Sequence, residues 1–419
     1  MHRYEIALDY RPGPNRLGGS ARISATAGAV PLAELQLNLG DFRIGRVRVD
    51  DRQPRWSHRG GRLRLRPAKP LRAGAAFTVE VQWSGNPKPV RSPWGGLGWE
   101  ESTDGALVAS QPVGAPSWFP CNDRPADKAS YQVSVTTPSP YTVVMGGRLL
   151  TRTVRASTTT WVHEQSAPTS SYLVGLAIGR FRTVRLTGAT DDDVPQSAHL
   201  PPRLLPAFRH DFARQPRIMR LFEELFGPYP FDGYTVVVAD EELDVPVEAQ
   251  GMSLFGMNHL DGARGAERLV AHELAHQWFG NSVGIADWRH IWLNEGLAKY
   301  AEWLWSERSG GRSTVQLART AHRMLAARPQ DLLLADPGRR NMFDDRLYER
   351  GGLAVHALRR DLGDEDFFRM LRSWATRHRG GSVGTATFAA HAARHAGRPL
   401  DELFAAWVHG RALPPLPDG

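Results

Sequence analysis

The first 185 or so residues contain short runs in which hydrophobic and polar side chains alternate. The clearest runs are residues 4–10, 21–27, 62–66 and 77–83, and glycine, proline and asparagine residues separate them. Strict alternation places every second side chain on the same face, which is the pattern of a β-strand with one buried face. Evenly spaced strands of this kind predict an antiparallel β saddle or sandwich.

The pattern changes after a polar stretch at residues 189–196. Residues 216–227 repeat hydrophobic side chains at helical spacing and end in a glycine, as helices often do. Two further helices are predicted around residues 265–279 and 293–307, and most of the chain after them also has helical spacing.

The length and the hydrophobic content fit two domains. The chain has 419 residues, of which 41% are hydrophobic, and this is enough for two separate cores. We therefore expect an α+β protein with a β-rich domain over residues 1–188 and a mostly helical domain over residues 189–419.

Charge and hydrophobicity argue against nucleic-acid and membrane partners. The formal net charge is +8, but the basic residues are scattered and form no block of five or six like charges. No apolar run approaches the roughly 20 residues of a membrane-spanning helix. The chain starts with strand-like residues rather than an apolar leader, and the single cysteine, Cys121, excludes an internal disulfide. We therefore expect a cytoplasmic protein.

One motif indicates a metal-binding catalytic site. His272, Glu273 and His276 form an H-E-x-x-H arrangement, and Glu295 follows His276 by nineteen residues in a second helical pattern. Residues four apart lie on one face of a helix, so the two imidazoles can hold one metal ion. Two imidazoles and a carboxylate suit a catalytic zinc ion, one per chain, that keeps a fourth position for water. Glu273 would then act as the general base for that water.

A simpler interpretation exists for each of these residues. His272 and His276 could be core histidines of a half-buried helix. Glu295 could form a surface ion pair with Lys299, four residues further on, which would stabilise the helix by only a few tenths of a kcal/mol.

These motifs resemble those of the gluzincin aminopeptidases, the family of aminopeptidase N and the leukotriene hydrolase. The segments W-F-P-C-N-D-R-P (118–125), F-G-P-Y-P-F (226–231) and L-Y-E-R-G-G (347–352) are also similar to elements of that family. The resemblance implies a β saddle followed by a thermolysin-like, mostly helical zinc peptidase domain. Larger family members continue with a β-sandwich and an α-solenoid, so we expect either a more open cleft here or a partner chain that caps it.

The resemblance also implies further site residues. Tyr348 matches the tyrosine that donates a hydrogen bond to the oxyanion, and Glu248 matches the glutamate that binds the free α-amino group of the substrate. Gln111 lies where the family often has a polar residue that helps to hold the same amino group. We expect peptide substrates with a free N-terminus.

Several alternatives stay open at this stage. Pro246, Val247, Ala249 and Gln250 replace the usual neighbours of Glu248, so a zinc endopeptidase is an alternative to an aminopeptidase. A non-catalytic scaffold protein that retains the fold is a second alternative. Glu302 and Asp287 are both candidates to orient the histidines, and the sequence leaves the oligomeric state open.

Overall fold

The computed structural model describes residues 1–186 and 194–417. The described residues fall into two compact units, of which the first comprises Met1–Leu205 with Phe231–His259 and the second comprises Pro206–Pro230 with the residues from Leu260 onward. The expected domain boundary between residues 188 and 189 lies outside the described residues. The first unit is rich in strands and the second is mostly helical, which confirms the α+β prediction.

The described residues of the first unit form twenty strands. In chain order they are β1 (Arg3–Arg11), β2 (Arg16–Thr26), β3 (Leu35–Asn38), β4 (Arg43–Val49), β5 (Arg55–Arg59), β6 (Arg62–Arg66), β7 (Ala76–Gly85), β8 (Val90–Ser92), β9 (Gly95–Ser102), β10 (Gly105–Ala109), β11 (Ala129–Pro138), β12 (Thr142–Met145), β13 (Arg148–Arg155), β14 (Thr158–Thr169), β15 (Leu176–Gly179), β16 (Arg182–Arg185), β17 (Gln196–Leu200), β18 (Tyr234–Val238), β19 (Val247–Ala249) and β20 (Met252–Phe255).

A seven-stranded sheet in the order β13-β14-β11-β1-β2-β7-β4 is the largest sheet of this unit. Its strands are antiparallel except for β1 and β11, which run parallel with Arg3 opposite Ser130. In β1, every second residue from Tyr4 to Tyr10 is buried and the residues between them are exposed. The alternation read from the sequence is therefore the alternation of buried and exposed faces.

A mixed five-stranded sheet explains why residues 231–259 belong to the first unit. Its order is β16-β17-β18-β20-β19, and β18 runs parallel to both β17 and β20. Val237 and Leu254 from this sheet share a hydrophobic cluster with Leu107 and Ala177 from a second five-stranded sheet, β12-β15-β10-β9-β8. A further three-stranded sheet has the order β3-β6-β5.

The second unit contains nearly all of the helices. They are α1 (Leu205–Asp211), α2 (Gln215–Phe226), α3 (Glu267–Ala275), α4 (Trp292–Arg308), α5 (Thr314–Ala326), α6 (Asp345–Leu362), α7 (Asp364–Arg377), α8 (Thr385–Ala396) and α9 (Asp401–Phe404), and a parallel pair of short strands, β21 (Gly284–Ile285) and β22 (Ser382–Val383), accompanies them.

Helix α4 is buried almost all around its circumference, including its three tryptophans. A helix without a solvent-facing stripe lies in the interior of its domain, so functional groups on α4 are shielded from bulk water. None of the described helices combines the length and the hydrophobicity that are needed to cross a bilayer.

Helix α3 is shorter than the predicted segment 265–279, because the chain leaves the helix after Ala275. It then turns back through Gly280, whose φ of +121° is a conformation that residues with a side chain rarely adopt. The backbone N–H of His276 still donates to the carbonyl oxygen of His272 at 3.2 Å, so the two histidines keep the helical spacing of four residues.

Candidate active site

The second unit brings the three predicted metal ligands together. The Nε2 atoms of His272 and His276 each lie 3.4 Å from Oε2 of Glu295, and all three side chains are buried. Zinc binds nitrogen and oxygen at about 2.0–2.2 Å, so neighbouring ligand atoms of a tetrahedral site lie roughly 3.4 Å apart. The same separation is too long for a strong hydrogen bond. The spacing of these donors therefore fits a shared zinc ion better than direct bonds between the side chains.

Both histidines are oriented through their other ring nitrogen. Nδ1 of His272 lies 2.8 Å from Oε1 of Glu302, and Nδ1 of His276 donates to the carbonyl oxygen of Phe279 at 3.1 Å. A carbonyl oxygen can only accept, so Nδ1 of His276 carries the proton and Nε2 keeps a lone pair for the metal. A partner of this kind fixes the ring orientation and the tautomer of a metal-binding histidine.

The structure distinguishes the two candidate orienting acids. Glu302 lies on α4, the helix that also carries Glu295, and its Oε1 atom contacts Nδ1 of His272 directly. Asp287 instead precedes the short helical turn Trp288–His290, where Oδ1 accepts from the backbone and the side chain of Arg289 at 3.1 and 2.9 Å. Asp287 therefore has a local capping role.

The electrostatic field at the site favours positive charge. Burial works to lower the pKa of His272, but the carboxylates of Glu295 and Glu302 outweigh it and raise the pKa to about 9. Burial works to raise the pKa of Glu302, but the contact with His272 and the charge of Lys299 outweigh it and lower the pKa to about 2. The pKa of Glu295 is lowered in the same way by the two histidines despite burial. A divalent cation satisfies the same field.

Glu273 differs from the other two acids. Its side chain is buried, and burial raises its pKa, an effect that the nearby histidines oppose and that Glu295 and Glu302 reinforce. Its Oε2 atom has no hydrogen-bond partner among the described residues. A carboxylate with a raised pKa and an unused acceptor oxygen beside the metal ligands is suited to accept a proton.

Tyr348 lies beside the metal ligands. It occupies the first turn of α6, which is capped by Asp344, and its half-buried ring lies 6.0 Å from the ring of His272 between centroids. The helix begins at Asp345, three residues before Tyr348. The phenol is therefore presented by an ordered helical turn.

The first unit brings Gln111 and Glu248 together. Gln111 follows β10 and Glu248 is the central residue of β19, and Nε2 of Gln111 donates to Oε1 of Glu248 at 2.6 Å. Glu248 is only 4% exposed. Burial this deep makes a carboxylate sensitive to any cation that reaches it.

The unusual neighbours of Glu248 hold its strand in place. Nε2 of Gln250 donates to Oγ1 of Thr169 at 2.6 Å, and the carbonyl oxygen of Gln250 accepts from Gln165 at 2.9 Å. The Cβ atom of Ala249 lies against Gly175, where an added Cβ would come within 2.8 Å. The strand that presents Glu248 is therefore fixed by buried hydrogen bonds and close packing.

The F-G-P-Y-P-F segment supports the turn that follows His276. Nε1 of Trp278 donates to the carbonyl oxygen of Gly227 at 2.9 Å, and the Trp278 ring makes an edge contact with Tyr229 at 5.5 Å. Both contacts lie within the second unit. Gly227 and Tyr229 therefore pack against Trp278 and help to fix the turn that follows His276.

The sequence did not reveal the partners of Lys299. Its Nζ atom lies 3.2 Å from Oε2 of Glu302 and 3.0 Å from Oε1 of Glu349, rather than serving the predicted alternative pairing with Glu295. Arg268 also approaches Oε2 of Glu302, at 3.5 Å. The i,i+3 spacing of Lys299 and Glu302 was a signal for the first contact, but nothing local in the sequence pointed to Glu349.

Two known domain families match this chain, one in each half. Residues 211–407 match the peptidase family M1 domain, and residues 2–173 match the peptidase M1 N-terminal domain. Aminopeptidase M1-B of Oryza sativa subsp. japonica is 26% identical over 333 residues, which cover 75% of this chain and 38% of that protein. Endoplasmic reticulum aminopeptidase 1 of Homo sapiens is 25% identical over 376 residues, which cover 82% of this chain and 39% of that protein. The chain thus spans less than half the length of these relatives.

Solved structures of similar length share the fold. The M1 zinc metallopeptidase from Deinococcus radiodurans superposes with a TM-score of 0.90 at 28% identity, covering 100% of this chain and 95% of that one. A mutant two-domain M1 zinc metallopeptidase bound to L-tryptophan gives the same TM-score at 29% identity and covers 100% of this chain and 96% of that one. Both M1 domain families match this chain, and His272, His276 and Glu295 form a group that can hold a metal ion. The chain therefore belongs to peptidase family M1.

Proposed function

We propose that this protein is a zinc-dependent aminopeptidase that removes N-terminal residues from peptides, with one zinc ion per chain. The observation that carries the proposal is the spacing of His272, His276 and Glu295: each Nε2 atom lies 3.4 Å from Oε2 of Glu295, and all three ligand atoms lie within 4.8 Å of one another. Glu273 and Tyr348 beside this group supply the two further functions that peptide hydrolysis needs, a base and an oxyanion donor.

When bound, zinc supplies the positive charge that polarises the scissile carbonyl and makes water more acidic. Glu273 accepts the proton of the attacking water, for which its raised pKa and its unused Oε2 atom suit it. It then donates that proton to the nitrogen of the leaving amine. The hydroxyl of Tyr348 donates a hydrogen bond to the oxygen on which negative charge develops.

Gln111 and Glu248 select substrates with a free N-terminus in this proposal. The buried carboxylate of Glu248 binds the α-ammonium group, and Gln111 fixes the rotamer of Glu248 through the 2.6 Å hydrogen bond. A charged hydrogen bond inside a protein is worth about 1.5–3 kcal/mol, enough to discriminate against a blocked N-terminus. The names of the relatives, which include several aminopeptidases, support this choice over an endopeptidase.

A single assay panel tests the proposal. Purified protein is analysed for metal and incubated with free peptides and with their N-acetylated forms, with and without a chelator. We expect bound zinc, cleavage of the free peptides much faster than of the N-acetylated forms, loss of cleavage with the chelator and recovery when zinc is restored. Cleavage of both peptide sets at similar rates would favour the endopeptidase. Protein that binds no zinc and cleaves neither set would favour a scaffold role.

We also propose a cytoplasmic location, which the single cysteine supports, and cell fractionation would test it. Light scattering on the purified protein would give the molar mass, and a monomer would count against a partner copy that caps the cleft.

A further inference from the structure

Helices α4 and α6 touch backbone to backbone beside the active site. A Cβ atom built on Gly296 would lie 2.8 Å from the Cα atom of Gly351, and one built on Gly351 would lie 2.7 Å from the Cα atom of Gly296. Neither distance is compatible with a side chain. Gly296 directly follows the ligand Glu295 and Gly351 lies three residues after Tyr348, so this crossing sets how closely the ligand helix approaches the tyrosine helix.

Lys299 lies three residues after Gly296 on α4, next to the contact between the two glycines. Its stem lies against α6, because a Cβ atom on Gly352 would come within 3.2 Å of Cγ of Lys299. Its ammonium group, with a side chain that is only 13% exposed, lies 3.2 Å from Glu302 on its own helix and 3.0 Å from Glu349 on α6. Lys299 is thus a largely buried cation between two carboxylates.

These contacts link the zinc ligands to the tyrosine. The other oxygen of Glu302 holds Nδ1 of His272 at 2.8 Å, and Glu349 is the residue directly after Tyr348. Two partly buried like charges repel each other strongly in a medium of low dielectric constant. Lys299 contacts both of these carboxylates, and Arg268 also lies 3.5 Å from Oε2 of Glu302. Without Lys299, the first turn of α6 would be pushed away from the helix that carries Glu295 and Glu302.

We propose that Lys299 is a positioning residue that holds the first turn of α6 against α4 through Glu349 and thereby sets the distance from the Tyr348 hydroxyl to the zinc ligands. This inference rests on the proposed role of Tyr348. Lys299 acts through Glu349 and does not touch the substrate. Small displacements of a catalytic group are costly, since a misplacement of about 1 Å can lower a rate by roughly 100-fold.

A double-mutant cycle tests the proposal. Lys299→Met keeps the length of the stem and removes the charge. In the otherwise unchanged protein, we expect it to lower kcat about tenfold, with KM and the zinc-to-protein ratio within about twofold of the original values. In a Tyr348→Phe background, we expect the same substitution to change kcat by less than about twofold, because no hydroxyl is left to position.

Two further variants sharpen the cycle. Glu349→Gln removes the other half of the contact and should reproduce both results, and it decides the question by the same criterion if Lys299→Met fails to fold. Asp361→Asn serves as the matched control, because Asp361 lies in the last turn of α6 and forms a 2.6 Å ion pair with Arg398. We expect this control to leave kcat unchanged.

The outcomes separate the inference from the function on which it rests. An equal loss of kcat in both backgrounds, a fall in zinc content, or an unchanged kcat in Lys299→Met and Glu349→Gln would overturn the positioning role. An unchanged kcat in Tyr348→Phe alone would instead remove Tyr348 from the mechanism and, with it, the reason for the cycle.

Discussion

The proposed zinc ligands lie on α3, at its C-terminal end and on α4, whereas Gln111 and Glu248 lie 137 residues apart in the chain. On the helices, spacing in sequence translates directly into a shared face, so the geometry of His272 and His276 follows from local rules. Gln111 follows β10 and Glu248 lies in β19, so their contact depends on how these two strands are arranged within the first unit. The pairing of the two histidines is thus encoded locally, whereas the approach of Glu295 and the contact of Gln111 with Glu248 depend on the tertiary fold.

The buried acids beside the metal group also differ from one another in pKa. Glu302 and Glu273 are equally buried, yet contacts with cations lower the pKa of Glu302 to about 2, while burial keeps the pKa of Glu273 raised. The partners, rather than burial itself, thus decide whether the pKa of a buried carboxylate is lowered or raised. Glu248 differs from both, because the partner that contacts its Oε1 atom, Gln111, is polar and neutral.

The largest effect should come from removing the base at the metal group. Glu273→Gln preserves the shape of the side chain but cannot accept a proton, so kcat should fall by roughly 10²–10⁴. Zinc content and the thermal unfolding midpoint should stay close to the original values. A variant that retained full activity would show that another group takes the proton.

Removing the oxyanion donor should have the next largest effect. Tyr348→Phe should lower kcat by roughly 10²–10³, the usual cost of losing one such donor, and leave the zinc content intact. Steady-state kinetics on an amino-acid anilide would measure this. A loss that appeared in KM alone would point to a binding role for the phenol.

A smaller effect is expected in the first unit, and it should depend on the substrate. Glu248→Gln should lower kcat/KM for peptides with a free N-terminus by roughly 10–100-fold, the range of one charged hydrogen bond. The slow background cleavage of N-acetylated peptides should not change. Equal losses of kcat/KM on both substrate types would contradict the assignment of Glu248 to binding of the α-amino group.

The smallest effect on catalysis should come from the acid that orients His272. Glu302→Gln should weaken zinc binding by roughly 10–100-fold, and activity should recover when zinc is in excess. Competition with a chelator would measure the affinity. Asp287→Asn is the matched control, since Asp287 caps a local turn, and a similar loss of zinc affinity there would contradict the assignment.

The sequence predicted those features that depend on short-range spacing. The alternation in β1, the helix that ends at Gly227 and the shared face of His272 and His276 follow from a period of two or of 3.6 residues. The approach of Glu295 to these histidines depends on how α3 and α4 pack. The roles of Tyr348, Glu248 and Gln111 came from resemblance to a family, because no local rule connects them to the metal ligands.

Other features needed the fold. The choice of Glu302 over Asp287 depends on which way each side chain points from its helix or turn. The contact of Lys299 with Glu349 depends on a crossing of two helices through Gly296 and Gly351, which leave no periodic signal. Contacts of this kind between distant segments are set by packing, and a single sequence does not reveal which helices cross.

X-ray absorption at the zinc edge of the purified protein tests the central claim most directly. The account predicts a first shell of nitrogen and oxygen at about 2.0–2.2 Å, with the outer-shell scattering of two imidazole rings. Replacing His276 with alanine should reduce that outer-shell scattering to one ring. A protein without bound zinc, or a zinc ion whose surroundings contain no imidazole, would contradict the assignment of His272, His276 and Glu295 as its ligands.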